Sequence, residues 1–294
     1  MNTPEKEMSI VQHLDQCTVR IECDSGVGTG FFFAVGQSGK IPQDGEPFVP
    51  LIITNQHVIG SSTTIRFVIS ATDSAGKVSH HQFSHTTAEL RLTTHPNGVD
   101  LACLNIGVVL NFFSRNQLKP AFTWLDASII PSSDQFKALS PISDIVLVGY
   151  PTGLWDHTNN RPIFRRGITA TTPHVKWQGR DEFLIDAAIF GGSSGSPVFI
   201  FNEGSYSSPE GIVIGSRLLL IGVNRAVYVH NTEGRLVQSP SPSGHSLLPV
   251  TGIPNNLGVA ISIRQLRALI DEAIKPQGWR PYGQPKITVG GTLA

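Results

Sequence analysis

Charged residues, cysteines and long apolar runs are all scarce in this chain of 294 residues. Only 15% of the residues are charged, and 22 basic side chains match 22 acidic ones. Without a positive excess the chain has no general means of holding a polyanion by counterion release, so we expect no nucleic acid and no membrane surface among its partners. No run approaches the roughly 18 to 20 apolar residues that a membrane span needs, and residues 1–30 lack an export signal.

The cysteines are too few and too irregularly spaced for a structural role. Cys17, Cys23 and Cys103 are odd in number and show no metal-ligand spacing, so neither a disulfide framework nor a zinc site is predicted. We expect reduced, partly buried thiols and, with no export signal, a cytoplasmic protein. No metal and no organic cofactor is predicted.

Glycine and proline are plentiful, with 29 and 20 residues, which favours many short strands joined by turns. Residues 17–23 alternate between apolar and polar side chains and predict a half-buried strand. Similar runs are expected in the first half at 28–35, 48–54, 63–70, 78–86 and 101–106. A second set is expected at 145–150, 163–175, 183–188, 198–201, 218–229 and 257–261. The sequence therefore predicts a mainly β protein of two six-stranded antiparallel β-barrels, with a C-terminal α-helix.

This pattern divides the chain into four predicted parts. Residues 1–125 form an N-terminal barrel, 126–143 a linker, 144–262 a C-terminal barrel, and 263–294 a helix and tail. Residues 230–256 are rich in Ser, Pro and Gly and are longer than most ordered connections, which suggests a mobile or regulatory loop. Ser262 and Gln265 have the spacing of a capping box in front of an amphipathic helix.

A tight glycine-serine turn at 192–197 lies between two apolar runs and could display a serine. A serine hydroxyl is a poor nucleophile unless a base takes its proton and N–H groups stabilise the charge that forms on the substrate. His57 follows an apolar run and is a candidate base. Asp100 precedes another apolar run and is a candidate for the group that orients the histidine. The order along the chain is His57, Asp100, Ser194.

These residues and their surroundings resemble the trypsin-like serine endopeptidases of the chymotrypsin fold, in particular the bacterial branch made without a signal peptide or propeptide. The resemblance covers most of the chain and rests on five segments: 28–32 (Gly-Thr-Gly-Phe-Phe), 51–57 (Leu-Ile-Ile-Thr-Asn-Gln-His), 100–102 (Asp-Leu-Ala), 192–197 (Gly-Ser-Ser-Gly-Ser-Pro) and 258–261 (Gly-Val-Ala-Ile). Each segment is weak alone, and their order makes the resemblance specific.

The resemblance implies roles for the candidate residues. Ser194 would attack the scissile carbonyl, His57 would carry the proton, and Asp100 would orient the imidazole. Gly192 and Ser194 would offer the backbone N–H groups of the oxyanion hole. The partners would be protein or peptide substrates.

Two departures from the family bear on activation. Processed members carry an aspartate before the nucleophile and a new Ile-Val-Gly-Gly terminus that pairs with it. This chain has Ser193 at that position and no such start. We therefore expect a protease that folds ready for catalysis, or one gated by the loop at 230–256 or by a regulatory protein partner.

By register, seven residues are expected to line the pocket for the residue before the scissile bond: Ala188, Asn224, Arg225, Ala226, Gly258, Val259 and Ala260. None is acidic, so a desolvated Lys or Arg would find no partner, and we expect a preference for small or medium apolar residues. The serine segment also resembles glutamyl endopeptidases, in which case Arg225 would bind an acidic side chain. Those enzymes usually carry a histidine near position 224, which is absent here.

Three other interpretations remain to be compared with the structure. Ser193 fits the G-x-S-x-G elbow of α/β-hydrolases, but that motif requires a helix after the serine, and an apolar strand-like run follows instead. His80, His81 and His85 form a cluster without an acid or cysteine at ligand spacing, so we assign no metal. A protease-like binding module that has lost turnover is the alternative function.

Overall fold

The computed structural model describes residues 14–24, 26–36, 46–208, 211–233 and 250–279, and strands dominate them. The first half of the chain contains eight strands: β1 (Thr18–Cys23), β2 (Gly26–Gly36), β3 (Phe48–Thr54), β4 (Thr64–Thr72), β5 (Val78–Thr86), β6 (Thr93–Thr94), β7 (Ala102–Asn105) and β8 (Lys119–Pro120). They pair in the order β5-β4-β1-β2-β3-β7-β6, and β8 pairs with β4.

The six predicted strands of this half are present, but a closed six-stranded barrel is not confirmed. Within the described residues, the ladder is an eight-stranded sheet that ends at β5 and β6. The two additional strands have two residues each, too short for a periodic pattern to reveal them.

Strand β2 is buried on both faces and separates two apolar clusters. Phe31 and Phe33 contribute to a core that also contains second-half residues, whereas Phe32 faces a core made by the first half alone. Because successive side chains of a strand point to opposite faces, the run of three phenylalanines fills both clusters. This strand therefore joins the two halves.

The second half contains the predicted closed barrel. Its strands are β9 (Asp144–Gly149), β10 (Ile163–Thr169), β11 (Glu182–Ala187), β12 (Pro197–Asn202), β13 (Ser205–Ser208), β14 (Gly211–Ile214), β15 (Arg217–Glu233) and β16 (Val250–Ser262). Six of them close in the order β10-β11-β16-β15-β12-β9, while β13 and β14 form a separate hairpin that was not predicted.

The segment predicted as a loop at 230–256 is partly strand. Strands β15 and β16 stay paired out to Glu233 and Val250, so the two ends of the segment extend the hairpin. Residues 234–249 lie outside the described residues.

Besides the helical residues 14 and 15, the described residues contain these α-helices: α1 (Gln56–Ile59), α2 (Gly107–Arg115), α3 (Ser133–Lys137) and α4 (Leu266–Ile274). Helix α4 is the expected C-terminal helix, and it buries its apolar face in the core that both halves share. None of the helices in these ranges is long and apolar enough to cross a bilayer. The tail beyond residue 279 lies outside the described residues.

The predicted capping box at Ser262 does not form. The Ser262 side chain makes no capping bond but accepts from Arg264 Nε, and Gln265 Nε2 donates to Asp181 instead. A single turn of 3-10 helix therefore precedes α4. The capping box in this chain lies at Ser132 and Gln135, in front of α3 within the predicted linker.

Candidate active site

Asp100 holds His57 through two hydrogen bonds. The backbone N–H of His57 donates to Asp100 Oδ1 at 2.9 Å, and His57 Nδ1 lies 2.7 Å from Asp100 Oδ2. Asn55, at the N-cap of α1, is buried and donates from Nδ2 to the Asp100 carbonyl at 2.8 Å. The start of α1 and the segment before β7 are thus joined at three points.

The carboxylate decides which nitrogen of His57 carries the proton. An ionised carboxylate can only accept, so Nδ1 must donate. Nε2 is then the unprotonated nitrogen in the neutral ring, and it is the one able to accept a proton from a substrate or a nucleophile. Almost half of the His57 side-chain surface is exposed to solvent.

Ser194 lies in a turn that depends on glycine at two positions. Gly192 and Gly195 have φ angles of +84° and +88°, in the left-handed region that favours glycine. A Cβ on Gly195 would also overlap the Thr29 carbonyl. The half-buried Ser194 between them donates from Oγ to the Arg225 carbonyl at 3.0 Å.

Backbone contacts bring this turn against the strands that lead to His57. The Thr29 N–H donates to the Ser194 carbonyl at 2.8 Å, and Thr54 Oγ1 donates to the Thr29 carbonyl at 2.7 Å. Thr54 is the last residue of β3, three positions before His57. The turn of one half is therefore anchored at the end of the strand that leads to the histidine in the other. No hydrogen bond joins Ser194 to His57 among the described residues.

Two N–H groups of the turn are available to a ligand. The Ser193 N–H donates to the Phe190 carbonyl and the Gly195 N–H to the Asn224 carbonyl. Within the described part of the chain, neither the Gly192 N–H nor the Ser194 N–H donates to a protein acceptor. Both belong to the turn that carries Ser194.

The profile of the trypsin-like peptidase domain matches residues 28–206, which is more than half of the chain. The chain belongs to the trypsin-like peptidase family. Among solved structures it is similar to the serine endoprotease from Yersinia pestis, at 17% identity and a TM-score of 0.43, over 93% of this chain and 69% of that one.

Two further structures of proteases are similar to this trypsin-like peptidase domain at low identity. For the Rv3671c protease in its inactive form, identity is 15% and the TM-score 0.41, over 88% of this chain and 90% of that one. For the MamO protease domain from Magnetospirillum magneticum, in its apo form, identity is 13% and the TM-score 0.41, over 87% of this chain and 97% of that one. No curated protein matches the sequence.

The residues predicted to line the substrate pocket lie near one another on β15 and β16 or just after β11. Asn224 and Ala260 are fully buried, while Ala188, Arg225 and Ala226 are half-buried. Asn224 donates from Nδ2 to the Ser193 carbonyl at 2.9 Å, which fixes it beneath the turn. A β-bulge at Arg225 interrupts the pairing of β15 with β16.

Ile189 occupies the space next to Gly258, where the pocket was predicted. A Cβ on Gly258 would overlap Ile189 Cδ1 and would lie 3.3 Å from Asn224 Oδ1. The buried Ile189 side chain therefore requires glycine at 258. The side chains around this position are apolar except for Asn224.

The charge of Arg225 is already paired. Its Nε lies 3.1 Å from Glu182 Oε1 in an ion pair by distance, although the angle is not that of a hydrogen bond. Both side chains are largely buried, with 27% and 12% of their surfaces exposed. An acidic substrate side chain would have to compete with Glu182 for this guanidinium.

The other candidates of the sequence analysis have structural partners. Pro197 begins strand β12 directly after the serine turn, so the helix of a G-x-S-x-G elbow at Ser193 is absent there. His80 bridges Ser70 Oγ and the Thr158 carbonyl, His81 contacts Ser79 Oγ, and His85 pairs with Glu89. No cluster of metal-ligating side chains was found in the described ranges.

Three residues that contact the site were not predicted to act there. Asn55 and Thr29 lie in segments that carried the resemblance, next to residues with assigned roles, but only their type was visible in the sequence. Thr152 adopts a left-handed conformation with φ of 51°, and its N–H donates to the Gly191 carbonyl. The sequence Pro151-Thr152-Gly153 signals a turn there, but not the contact.

Proposed function

We propose that this chain is a serine endopeptidase in which Ser194, His57 and Asp100 form the catalytic triad. The observation that supports it best is the double hydrogen bond from His57 to Asp100, because it orients the imidazole and leaves Nε2 as the proton acceptor. Membership of the trypsin-like peptidase family supports the same reaction class.

In the proposed reaction, His57 Nε2 takes the Ser194 proton while Oγ bonds to the substrate carbonyl carbon. The N–H groups of Gly192 and Ser194 stabilise the oxyanion that forms. His57 then gives its proton to the leaving amine as the peptide C–N bond breaks. A water molecule, deprotonated in its turn by His57, then attacks the acyl-enzyme, and the carboxylic acid is released as Ser194 regains its proton.

The resting position of the Ser194 hydroxyl sets a first step. Oγ donates to the Arg225 carbonyl, so proton transfer to His57 requires the Ser194 side chain to leave this hydrogen bond. Staggered rotamers of accessible side chains interconvert within nanoseconds, which is fast compared with typical turnover. A substrate backbone that uses the Arg225 carbonyl as an acceptor would release the hydroxyl.

For the residue before the scissile bond we propose a small or medium apolar side chain. Ile189 places an apolar side chain next to Gly258 in the predicted pocket, and the ion pair of Arg225 with Glu182 disfavours an acidic occupant. Cleavage of a peptide library tests this specificity. Strong cleavage after Glu would contradict the apolar pocket, as would strong cleavage after Lys or Arg.

We also propose that loop 230–256 or a regulatory protein partner can gate the site. Arg225, whose carbonyl holds the Ser194 hydroxyl, lies on the same strand that continues to Glu233. Rearrangement of the distal hairpin could therefore reach the serine through β15. Deletion of residues 234–249 should change kcat for a peptide substrate, and unchanged kcat would contradict the loop as gate.

The alternative function is a binding module without turnover, and Ser194→Ala separates the two. Hydrolysis of a casein substrate should be lost in Ser194→Ala while the far-UV circular dichroism stays that of the wild type. A module would retain its activity in that variant. Ser128→Ala is a matched control, because that serine contacts Asp126 away from the turn.

A further inference from the structure

The two glycines before the proposed nucleophile create a problem of conformational freedom. Gly191 and Gly192 lack side chains, so the two peptide groups on either side of Gly192, the first of which carries the Gly192 N–H, can rotate at little steric cost. An oxyanion hole works only if its donors point at the developing charge before the reaction. Something outside the turn must therefore hold these peptide groups.

Thr152 holds the first of them. Its N–H donates to the Gly191 carbonyl. In a planar trans peptide the C=O and N–H groups point in opposite directions, so this bond turns the Gly192 N–H away from Thr152. That is the N–H for which the described structure shows no protein acceptor.

Through its side chain Thr29 holds the next peptide, Gly192–Ser193, which lies between the two peptides that carry the proposed donor N–H groups of Gly192 and Ser194. Its Oγ1 donates to the Gly192 carbonyl at 3.0 Å and accepts from the Tyr150 N–H at 3.1 Å. A hydroxyl has only one proton to donate. Because the Tyr150 N–H occupies a lone pair of Oγ1, the Thr29 proton is directed to the Gly192 carbonyl.

The backbone of Thr29 holds the far end of the same turn. Its N–H donates to the Ser194 carbonyl at 2.8 Å, so one residue binds both sides of the segment from Gly192 to Ser194. Thr29 is completely buried, and water does not compete for these bonds. Of the bonds that Thr29 makes to the turn, the one from its hydroxyl can be removed by a side-chain substitution.

We propose that Thr29 is a positioning residue for the oxyanion hole: its hydroxyl, bonded to the Gly192 carbonyl, keeps the Gly192 and Ser194 N–H groups aligned for the transition state. This inference rests on the proposed endopeptidase function. It assigns to β2 of the first half a part in a site whose donors belong to the second half.

The test compares Thr29→Val, which keeps the shape and removes the hydroxyl, with Thr29→Ser, which keeps the hydroxyl. The matched control is Thr169→Val, because Thr169 is also completely buried, donates to the Pro141 carbonyl at 2.7 Å and accepts from the Ser143 N–H at 2.9 Å. Its hydrogen bonding is that of Thr29, but its partners lie outside the proposed site. Each variant is made in the full chain.

Three quantities are measured: kcat and KM for a fluorogenic peptide, the affinity for a peptide boronate that forms a tetrahedral adduct, and the affinity for the product peptide. Loss of a whole oxyanion donor costs about 10²–10³ in kcat, so a misaligned hole in Thr29→Val should cost about 10 to 100-fold. Boronate affinity should fall by a similar factor, while KM and product affinity stay within about threefold. Thr29→Ser and Thr169→Val should stay close to the wild type in kcat.

The outcomes separate the two proposals. A folded wild-type chain without turnover would overturn the proposed function itself. If the wild type is active but Thr29→Val and Thr169→Val have equal kcat and equal boronate affinity, only the role of Thr29 is overturned. If Thr29→Val does not fold, Thr29→Cys replaces it, because a thiol preserves the volume but donates weakly. Its kcat should then fall below that of Thr29→Ser, and equality with Thr29→Ser would contradict the proposal.

Discussion

Replacement of Asp100 by Asn changes one atom and tests whether the carboxylate selects the useful form of His57. Each Asp100 oxygen accepts one hydrogen bond from His57, one from the backbone N–H and one from Nδ1. An asparagine amide has only one oxygen and must present its NH₂ group to the other position. One of the two His57 donors, the backbone N–H or Nδ1–H, would therefore face the NH₂ group, which is itself a donor.

The structure indicates which arrangement prevails. The His57 backbone N–H cannot give up its proton, whereas the imidazole can move its proton from Nδ1 to Nε2. The amide oxygen should thus face the backbone N–H and the NH₂ group should face Nδ1, because only the imidazole can turn an acceptor toward that NH₂ group. Nε2 then carries a proton and cannot accept the one from Ser194.

The corresponding change in the chymotrypsin-fold proteases lowers kcat by about 10⁴, or about 5 kcal/mol of transition-state stabilisation. We expect a loss of about 10³–10⁴ in kcat for Asp100→Asn with little change in KM. The assay is steady-state hydrolysis of a fluorogenic peptide taken from the library screen. Asp73→Asn is the control, because the Asp73 carboxylate also accepts backbone N–H bonds but lies in an exposed turn. A kcat for Asp100→Asn within tenfold of the wild type would refute the reasoning.

Three further predictions concern the pocket, one buried histidine and the thiols. Ile189→Ala should deepen the pocket and raise kcat/KM after Phe relative to Ala by about tenfold or more, and an unchanged library profile would contradict this. Burial lowers the pKa of His95 in the folded chain. The unfolded chain therefore binds more protons than the folded chain, and the free energy of unfolding should fall as pH drops below about 6.5. Urea titrations at pH 7.5 and 5.5 should show a smaller fall in the free energy of unfolding for His95→Gln than for the wild type. An equal fall in the two proteins would contradict this. Burial raises the pKa of Cys23 to about 11, that of Cys103 to about 12 and that of Cys17 further. Ellman's reagent, which reacts with thiolates, should therefore label none of the three cysteines until the chain unfolds. Rapid labelling of any of them in the native protein would contradict this.

Periodicity predicted the longer strands, but not the two-residue strands, the β13-β14 hairpin or the way the first sheet ends. The alternation at Thr18–Cys23 and the apolar runs of the second half predicted real strands, including the closed barrel. No element was predicted at Gly107–Arg115, because β-branched and aromatic residues in a short apolar run do not distinguish helix from strand. The capping box was assigned to Ser262 because spacing alone does not show that Gln265 has a better partner in Asp181.

For the site, the sequence indicated the residues but not their hydrogen bonds. Residue order and motif context identified His57, Asp100 and Ser194, and their joint role stays a prediction. The position of the Ser194 hydroxyl at the Arg225 carbonyl depends on a β-bulge in β15, which leaves no local signal. The bond from the Thr29 hydroxyl to the Gly192 carbonyl joins residues 163 positions apart, and only the folded chain brings them together.

Labelling with a fluorophosphonate probe tests the central claim most directly, because the reagent reacts only with a serine that a base has activated within a formed oxyanion hole. The wild type should be labelled, with the adduct located at Ser194 by mass spectrometry of the digested chain. His57→Ala and Ser194→Ala should remain unlabelled although folded. Labelling of Ser194→Ala at another serine, or equal labelling of His57→Ala and the wild type, would contradict the triad.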